Sequence, residues 1–426
     1  METIRRVVKG TSPDEDKIIA IFKKLNNNTN QVRLFCGDTM KYITLSNKKF
    51  KAIKRKPRTG KYILIRKNDK DKDLKKLDMK QQYELIYKEA VYLKDITDGK
   101  INLFRTGSTA KTALQLFYDF YQSLEEPEPI CAKEAEILEL CTRSALIYGM
   151  LYKGKGYKYD VCSEYPSIMI SKSFHIPFGS PEFCTMIADD FNKLKFYKYG
   201  IYHAQIINPD KRVIKPNSNH WYTHTDLNYA KNTLKYNIEL IEDGTCNAMI
   251  YNKIKHIQPI FKPFIDYLFK FKKDGVIEIK KYINALWGAL CQKNDLHVTL
   301  DKTYDNDNIL MIMPNYNNLE FRNDAKSFNA VVAKKEKRYE TNWARMEPFI
   351  VASGRLKISN MILPNIENVV RCHTDGIILK KPIVNVKLGS DIGDLKFEES
   401  GTCHIINSND FKFNDKIYGR KEIEVT

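Results

Sequence analysis

The stretch Tyr157–Ile170 reads Y-K-Y-D-V-C-S-E-Y-P-S-I-M-I. Aromatic and apolar residues surround a single acid, Asp160, as they do where a buried strand runs out. Pro166 has no N–H to donate and is expected to stop the strand pairing. A carboxylate at a strand end is well placed to hold a hard cation, which prefers oxygen ligands. Tyr165, five residues on, is expected where the chain turns back over that acid. The pattern also suits a plain strand end with a solvated Asp and a packed Tyr. Two stretches downstream favour the first reading.

The first is Lys280–Leu290, K-K-Y-I-N-A-L-W-G-A-L. On a helix, Lys280, Asn284, Trp287 and Gly288 fall at i, i+4, i+7 and i+8 and share one face. A face with a cation, an amide, an aromatic plane and a gap suits a nucleoside triphosphate lying along the helix. Lysine would meet phosphates, and Asn284 and Trp287 the sugar and base. Lys272, roughly two to three turns earlier in a helical region that opens at Phe261, adds a second phosphate contact. The plainer alternative is an amphipathic helix that tolerates its glycine at roughly 1 kcal/mol against Ala. The second stretch is Val369–Leu379, V-V-R-C-H-T-D-G-I-I-L. Two apolar runs flank H-T-D-G, the pattern of a β-hairpin with Asp375 at its tip. Together with Asp160 it would complete a site for two metal ions about 3.5–4 Å apart. A bare turn acid is the alternative.

A chain of 426 residues exceeds one small core, so two or three subdomains are expected. Its net charge of +18 calls for a polyanionic partner, nucleic acid first. An anionic membrane surface competes, but there is no basic amphipathic helix, no run of 18 apolar residues and no signal peptide. A soluble intracellular protein without a membrane partner is expected. The nine cysteines form no C-x-x-C pair and read as reduced thiols, not a disulfide or zinc framework. Lys48-Lys49-Phe50-Lys51 and Lys54-Arg55-Lys56-Pro57-Arg58 read equally as a phosphate-contacting surface or a solvated loop. Lys153 and Lys155, in the glycine-punctuated stretch 152–156, read as a basic loop close to a phosphodiester chain or as a plain turn. Helices are expected over 81–95, 110–121, 132–148, 226–240 and 346–363. Strands are expected over 195–207, 247–253, 393–398 and 416–418, which makes an α+β fold.

Taken together, these stretches resemble the family B DNA polymerases, and within them the protein-primed branch of phages, linear plasmids and mobile elements. D-V-C-S-E-Y-P-S-I is similar to the family's first palm motif, D-x-x-S-L-Y-P-S. K-K-Y-I-N-A-L-W-G is similar to its fingers motif, K-x-x-x-N-S-x-Y-G, and H-T-D-G to its second palm motif, D-T-D-S. Lys416-Ile417-Tyr418 looks like the K-x-Y element that holds the primer terminus. The resemblance implies a right-hand polymerase with an antiparallel-sheet palm and helical fingers. Residues 105–260 would be palm with an insertion, 261–345 fingers with an insertion, and 346–426 the palm continuation. Residues 1–104 would be a basic, degenerate exonuclease-like region.

The resemblance further implies that Asp160 and Asp375 bind two Mg²⁺ or Mn²⁺ ions, with Val161 offering its backbone carbonyl. Tyr165 would lie under the incoming sugar and exclude a 2′-hydroxyl. Lys272 and Lys280 would hold the triphosphate, Asn284 and Trp287 the nascent pair, and Lys416 and Tyr418 the primer and template. The implied partners are a DNA primer–template, dNTPs, and a terminal protein or processivity factor. A viral or mobile-element origin goes with them.

The chain also departs from the family. His373 stands at the first acid of the second palm motif, which is the less critical of its two acids. Gly376 and Ala285 replace Ser, and Trp287 replaces Tyr. No D-x-E precedes the palm, and Val91 stands where the last exonuclease motif has Asp, so no proofreading is expected. Eight residues follow Tyr418, so the thumb is expected to be minimal or absent and processivity low without a partner. Two functions compete: a template-directed polymerase acting by two-metal phosphoryl transfer, and a non-catalytic nucleic-acid-binding scaffold of a replisome. A primase-like or terminal-transferring enzyme on the same palm is a third. Retention of Asp160, Asp375, Lys280 and Tyr165 favours the polymerase, because a pure binder has no need of them.

Overall fold

The computed structural model describes residues 18–24, 29–36, 39–46, 63–65, 79–106, 108–121, 123, 125–294, 296–299, 318–324, 327–334 and 337–419. The lysine-rich runs between Lys48 and Arg58 lie outside the described residues. The chain opens with strands β1 (Ile18–Lys24), β2 (Thr29–Cys36), β3 (Thr39–Ser46) and β4 (Ile63–Ile65). Helices α1 (Met79–Ile96), α2 (Leu103–Thr106), α3 (Thr109–Phe120) and α4 (Ala132–Cys141) follow. Then come β5 (Ile147–Gly149), β6 (Tyr152–Val161), α5 (Glu164–Met169), β7 (His175–Pro177), β8 (Glu182–Cys184), α6 (Ala188–Lys193) and β9 (Gly200–Ile206). Next are β10 (Trp221–Thr223), α7 (His224–Asn228), β11 (Ile238–Leu240), β12 (Ala248–Ile250), β13 (Ile254–His256), α8 (Gln258–Lys273) and α9 (Ile279–Leu290). After β14 (Leu296–Thr299), β15 (Asn318–Asp324) and β16 (Ser327–Lys334) comes the long α10 (Glu347–Ile362). The chain closes with β17 (Val369–His373), β18 (Gly376–Leu379), β19 (Leu395–Ile405), β20 (Phe411–Phe413) and β21 (Lys416–Tyr418). Among the described residues no helix is long and apolar enough to cross a membrane.

The fold is mixed helix and sheet, in two compact units. One comprises Met1–Gln122 and Pro263–Ala289, the other Ser123–Lys262 and Leu290–Thr426. The first unit holds a four-stranded sheet in the order β3–β2–β1–β4. Helix α3 has a normal N-cap: Ser108 Oγ accepts from the Lys111 N–H at 3.3 Å. Ala113, Leu116 and Phe117 turn inward at helical spacing. Gly275, at φ +88°, breaks the chain between α8 and α9, a conformation glycine adopts without penalty. Tyr282, Ile283, Leu286 and Leu290 form the buried face of α9.

The second unit is built on a seven-stranded antiparallel sheet in the order β21–β20–β19–β6–β18–β17–β5. Strand β6 is its centre, paired on one side with β18 and on the other with β19. Both faces are covered, as a central strand requires. Tyr159, Val161, Cys372, Ile377 and Leu395 pack with Ile358 and Ile362 of α10. Val370, Ile378, Cys403, Phe411 and Phe413 form the opposite layer. A smaller sheet, β10–β9–β12–β8 with β11 added to β9, carries its own aromatic core of Phe191, Tyr197, Tyr202 and Tyr222.

A fully buried ion pair joins α4 to the segment ahead of α10. Arg345 Nε donates to Glu134 Oε1 at 2.9 Å and Nη2 to Oε2 at 3.0 Å. Tyr251 donates to Oε1 at 2.9 Å, and Arg345 Nη1 also reaches the Phe178 carbonyl at 3.1 Å. Both side chains are 0% exposed, so every donor must be satisfied internally.

Several boundaries differ from those expected. Residues 152–156 are not a loop but the first half of β6. Gly156 is there for clearance: a Cβ would lie 2.7 Å from Cys403 Sγ and 3.1 Å from the Phe413 ring. Pro166 does not stop the strand, which ends at Val161; it lies in the first turn of α5, where a missing N–H costs nothing. The helix expected over 132–148 ends at Cys141, because Ile147–Gly149 is recruited as an edge strand by β17. The helix expected over 226–240 is only α7 and a π-turn, Tyr229–Thr233, after which Ile238–Leu240 pairs with β9. The strand expected from residue 195 starts at Gly200, and that expected over 247–253 is Ala248–Ile250. Non-local pairing overrides local propensity in each of these.

Two stability predictions follow from these contacts. Glu134→Ala leaves the Arg345 charge buried and unpaired, and should cost about 3–5 kcal/mol in denaturant unfolding, with Glu134→Leu/Arg345→Met closer to wild type. His224 packs at a tilt against Tyr199 and Phe349, and its Nδ1 accepts from the Gly200 N–H at 3.5 Å. Burial holds its pKa down to about 4. The unfolded chain therefore binds the extra proton first, and stability present above pH 6.5 should drain away as pH falls towards 4, by about 3 kcal/mol at most. His224→Phe should flatten an unfolding-midpoint profile across that window.

Candidate active site

Asp160 is the penultimate residue of β6, held in register between Gly376 of β18 and Lys396 of β19. The β17–β18 hairpin turns through Thr374 and Asp375, with Thr374 in the left-handed region at φ +60°. Its tip is tied to the end of β6 by the Val161 N–H, which donates to the Asp375 carbonyl at 2.9 Å. The two acids predicted from sequence therefore come together, although 215 positions separate them in the chain (375 minus 160). Gly376 keeps the space beside Asp160 open: a Cβ there would stand 3.7 Å from Asp160 Oδ1.

Glu164 is a third acid at this place. It occupies the position where the quoted palm motif has Leu, and that mismatch was the signal available in the sequence. It is 3% exposed, and neither carboxylate oxygen has a hydrogen-bond partner. Burial, then the charge of Asp375, pushes its pKa up to about 8 against the pull of Lys357, with Asp160 adding to the rise. A carboxyl whose proton is held first by burial and then by neighbouring carboxylates lies in a negative field. Two carboxylates in such a field are the hard oxygen donors that Mg²⁺ or Mn²⁺ takes, so the residues present fit divalent cations. Among the described residues, no group of three or more His, Cys, Asp or Glu side chains is placed to hold one metal ion.

Behind the acids, α5 and α10 hold the floor. Ser163 enters α5 at φ +53°. Gly354 of α10 lets that helix approach: an added Cβ would meet Tyr165 Cε1 at 3.2 Å and Glu164 Oε1 at 3.3 Å. Burial and then Glu164 raise the Tyr165 phenol well above its usual range. Lys357 Nζ donates to Ser167 Oγ at 2.8 Å, and burial lowers its pKa. Arg355, the residue after Tyr165's neighbour Gly354 on α10, is 6% exposed and bound by both oxygens of Asp226, at 3.0 and 2.8 Å. Lys357, Arg355 and Asp226 carry no motif and were not legible as site residues.

His373 does not supply a carboxylate to the tip. Its Nε2 lies 3.2 Å from Asn409 Oδ1 and its Nδ1 3.4 Å from Thr374 Oγ1. Lys153 and Lys155 are exposed on one side of β6. Lys416 is exposed on β21, and Tyr418 stacks on Phe411 with ring centres 4.3 Å apart. Lys158 of β6 meets the Tyr418 hydroxyl at 3.4 Å and Glu398 at 2.8 Å, a tether that the sequence did not announce.

The remaining predicted residues belong to the first unit. Lys280, Asn284 and Gly288 are exposed on α9, and Trp287 is half-buried beside them, all opposite the buried face. Nothing lies within 4 Å of a Cβ added to Gly288, so the expected gap is present. Lys272, on the last turn of α8, lies over the Phe269 ring at 4.7 Å.

A prediction attaches to Glu164. In cation-free buffer its stabilising contribution should fall as pH rises from 4.5 through about 8, since the unfolded chain releases that proton first. Glu164→Leu should remove the decline and gain about 3–5 kcal/mol above pH 8 by denaturant titration. A gain that is the same at pH 5 and pH 9 would refute it.

The family model described as DNA polymerase type B, organellar and viral, matches residues 22–347. That span includes the Asp160 strand and α9, and ends before the Asp375 hairpin. No curated protein matches the chain. Among solved structures, Phi29 DNA polymerase with primer-template DNA aligns at TM-score 0.54 and 16% identity, covering 100% of this chain and 79% of that one. Phi29 DNA polymerase with single-stranded DNA aligns at TM-score 0.54 and 15% identity, with the same coverage. An orthorhombic crystal form of Phi29 DNA polymerase aligns at TM-score 0.52 and 14% identity, over 96% and 76% of the two chains. At such identities the likeness is one of fold.

Proposed function

The chain belongs to the type B DNA polymerases of organelles and viruses, and we propose that it extends a DNA primer on a template by adding dNTPs to the 3′-hydroxyl, without proofreading. The observation that carries this reading is the meeting of Asp160 and Asp375 at the end of β6, tied by the Val161–Asp375 hydrogen bond. On this reading, residues 105–260 and 346–426 act as palm, 261–345 as fingers and 1–104 as a degenerate exonuclease-like region.

In the step proposed, the primer 3′-oxygen bonds to the α-phosphorus, the bond to pyrophosphate breaks, and the hydroxyl proton leaves to solvent. Asp160 and Asp375, with the Val161 carbonyl, would hold two Mg²⁺ ions, which when bound polarise the hydroxyl and offset triphosphate charge. Lys272 and Lys280 would bind the triphosphate oxygens, and Asn284 and Trp287 would orient the base pair. Tyr165, pinned by Gly354 and Glu164, would bar a 2′-hydroxyl by occupying the space below the sugar. Lys153, Lys155, Lys416 and Tyr418 would hold primer and template.

Primer extension with labelled primer–template, four dNTPs and Mg²⁺ or Mn²⁺ tests the proposal. Wild type should extend, and Asp160→Asn and Asp375→Asn should each lose at least about 100-fold. No extension by any of the three, with salt-sensitive primer–template binding intact, would leave only a scaffold role. Tyr165→Val should raise ribonucleotide relative to deoxyribonucleotide incorporation by about 10-fold or more.

A further inference from the structure

A second place in the molecule is built for phosphate and shares no residue with the acidic site. An open cavity of about 620 Å³ lies between the end of α4 and the loop that joins β9 to β10. Its wall is formed by Arg143, Lys215 and His220 together with Thr142, Ser144 and Ser218, and no acidic residue lines it. Among the described residues neither Arg143 nor Lys215 has a carboxylate partner; Arg355 nearby has taken Asp226 for itself. Lys215 is held below its usual range by burial and then by the charges of Arg355 and Arg143. Uncompensated cations crowded together are costly unless an anion arrives.

The wall is also pre-shaped. Asn217 is 3% exposed and works as a hub: its Oδ1 accepts from Arg143 Nε at 2.7 Å and from the Asn219 N–H at 2.9 Å. Its Nδ2 donates to the Leu140 carbonyl at 3.0 Å, which anchors the loop to α4. Arg143 Nη2 reaches Ser218 Oγ at 3.5 Å. The guanidinium is thus oriented before any ligand binds, which is how arginine recognises phosphate oxygens. His220 adopts φ +54°, a left-handed conformation seldom used by non-glycine residues and concentrated at functional sites.

We propose that this cavity is a phosphate-binding subsite, in which Arg143 and Lys215 neutralise one or two phosphates. The ligand is a phosphodiester of single-stranded nucleic acid or the phosphate tail of a free nucleotide. Its chemistry needs neither metal nor turnover, so it stands or fails apart from the polymerase reading.

The test is fluorescence anisotropy of a labelled single-stranded 20-mer in metal-free buffer, with pyrophosphate and dATP as competitors. Lys215→Gln removes a charge that makes no hydrogen bond among the described residues, so folding should be kept. Lys215→Gln and Arg143→Gln/Lys215→Gln should weaken binding, the double variant by about 10-fold, and lower the slope of log affinity against log salt by about 1.4, or 0.7 per phosphate released. Lys193→Gln, a 76%-exposed lysine on α6, should leave both quantities unchanged. Loss confined to the oligonucleotide assigns the subsite to a strand; pyrophosphate competition with wild type but not the double variant assigns it to a nucleotide. Equal affinity and equal salt slope for wild type and double variant, with neither competitor distinguishing them, would overturn the subsite, as would an equal loss in Lys193→Gln.

Discussion

The hydrogen bond from the Val161 N–H to the Asp375 carbonyl is the contact on which the acidic site depends. It fixes where the hairpin tip lies against the central strand, and so how near two carboxylates stand. The bond is held in place because β6 is paired along its length with β19 and over Tyr157–Asp160 with β18. Side-chain period in a strand is two, so a one-residue slip would turn Asp160 into the core. The layers packed on each face, Ile358 and Ile362 on one and Phe411 and Phe413 on the other, make that slip expensive.

Charge is distributed unevenly for a reason. The acids gather at one end of β6, with Glu164 buried and unpaired among them. The buried cations have mostly found fixed anions: Arg345 has Glu134, and Arg355 has Asp226. These pairs are weak as sources of stability but demanding as constraints, since neither partner can be lost without stranding the other. The wall around Arg143 and Lys215 breaks the pattern, as cations are concentrated there without acids. In a type B DNA polymerase with net charge +18, both an acidic centre and a basic hollow have an obvious counterpart in a phosphate chain.

Much of this was legible in residue patterns. The β17–β18 hairpin, the N-cap of α3, the glycine break before α9 and the exposed face of Lys280, Asn284 and Gly288 follow from turn chemistry and period alone. Glu164 was visible but unread, because a single acid in a Leu position carries no meaning until its burial is known. The chain around Gly154 and Gly156 misled, since two glycines in five residues mimic a turn. There the glycine at 156 answers instead to Cys403 and Phe413, over 240 positions away.

By itself, the sequence determined which residue types could do chemistry and the family in whose order they stand, because motif spacing and helical or strand period are local properties. Only the tertiary structure decided that Asp160, Glu164 and Asp375 share one field, that Lys158 meets Tyr418, and that Arg143 and Lys215 flank a common hollow. Each of these joins segments far apart in the chain. Their proximity follows from strand pairing and core packing, which no local pattern encodes.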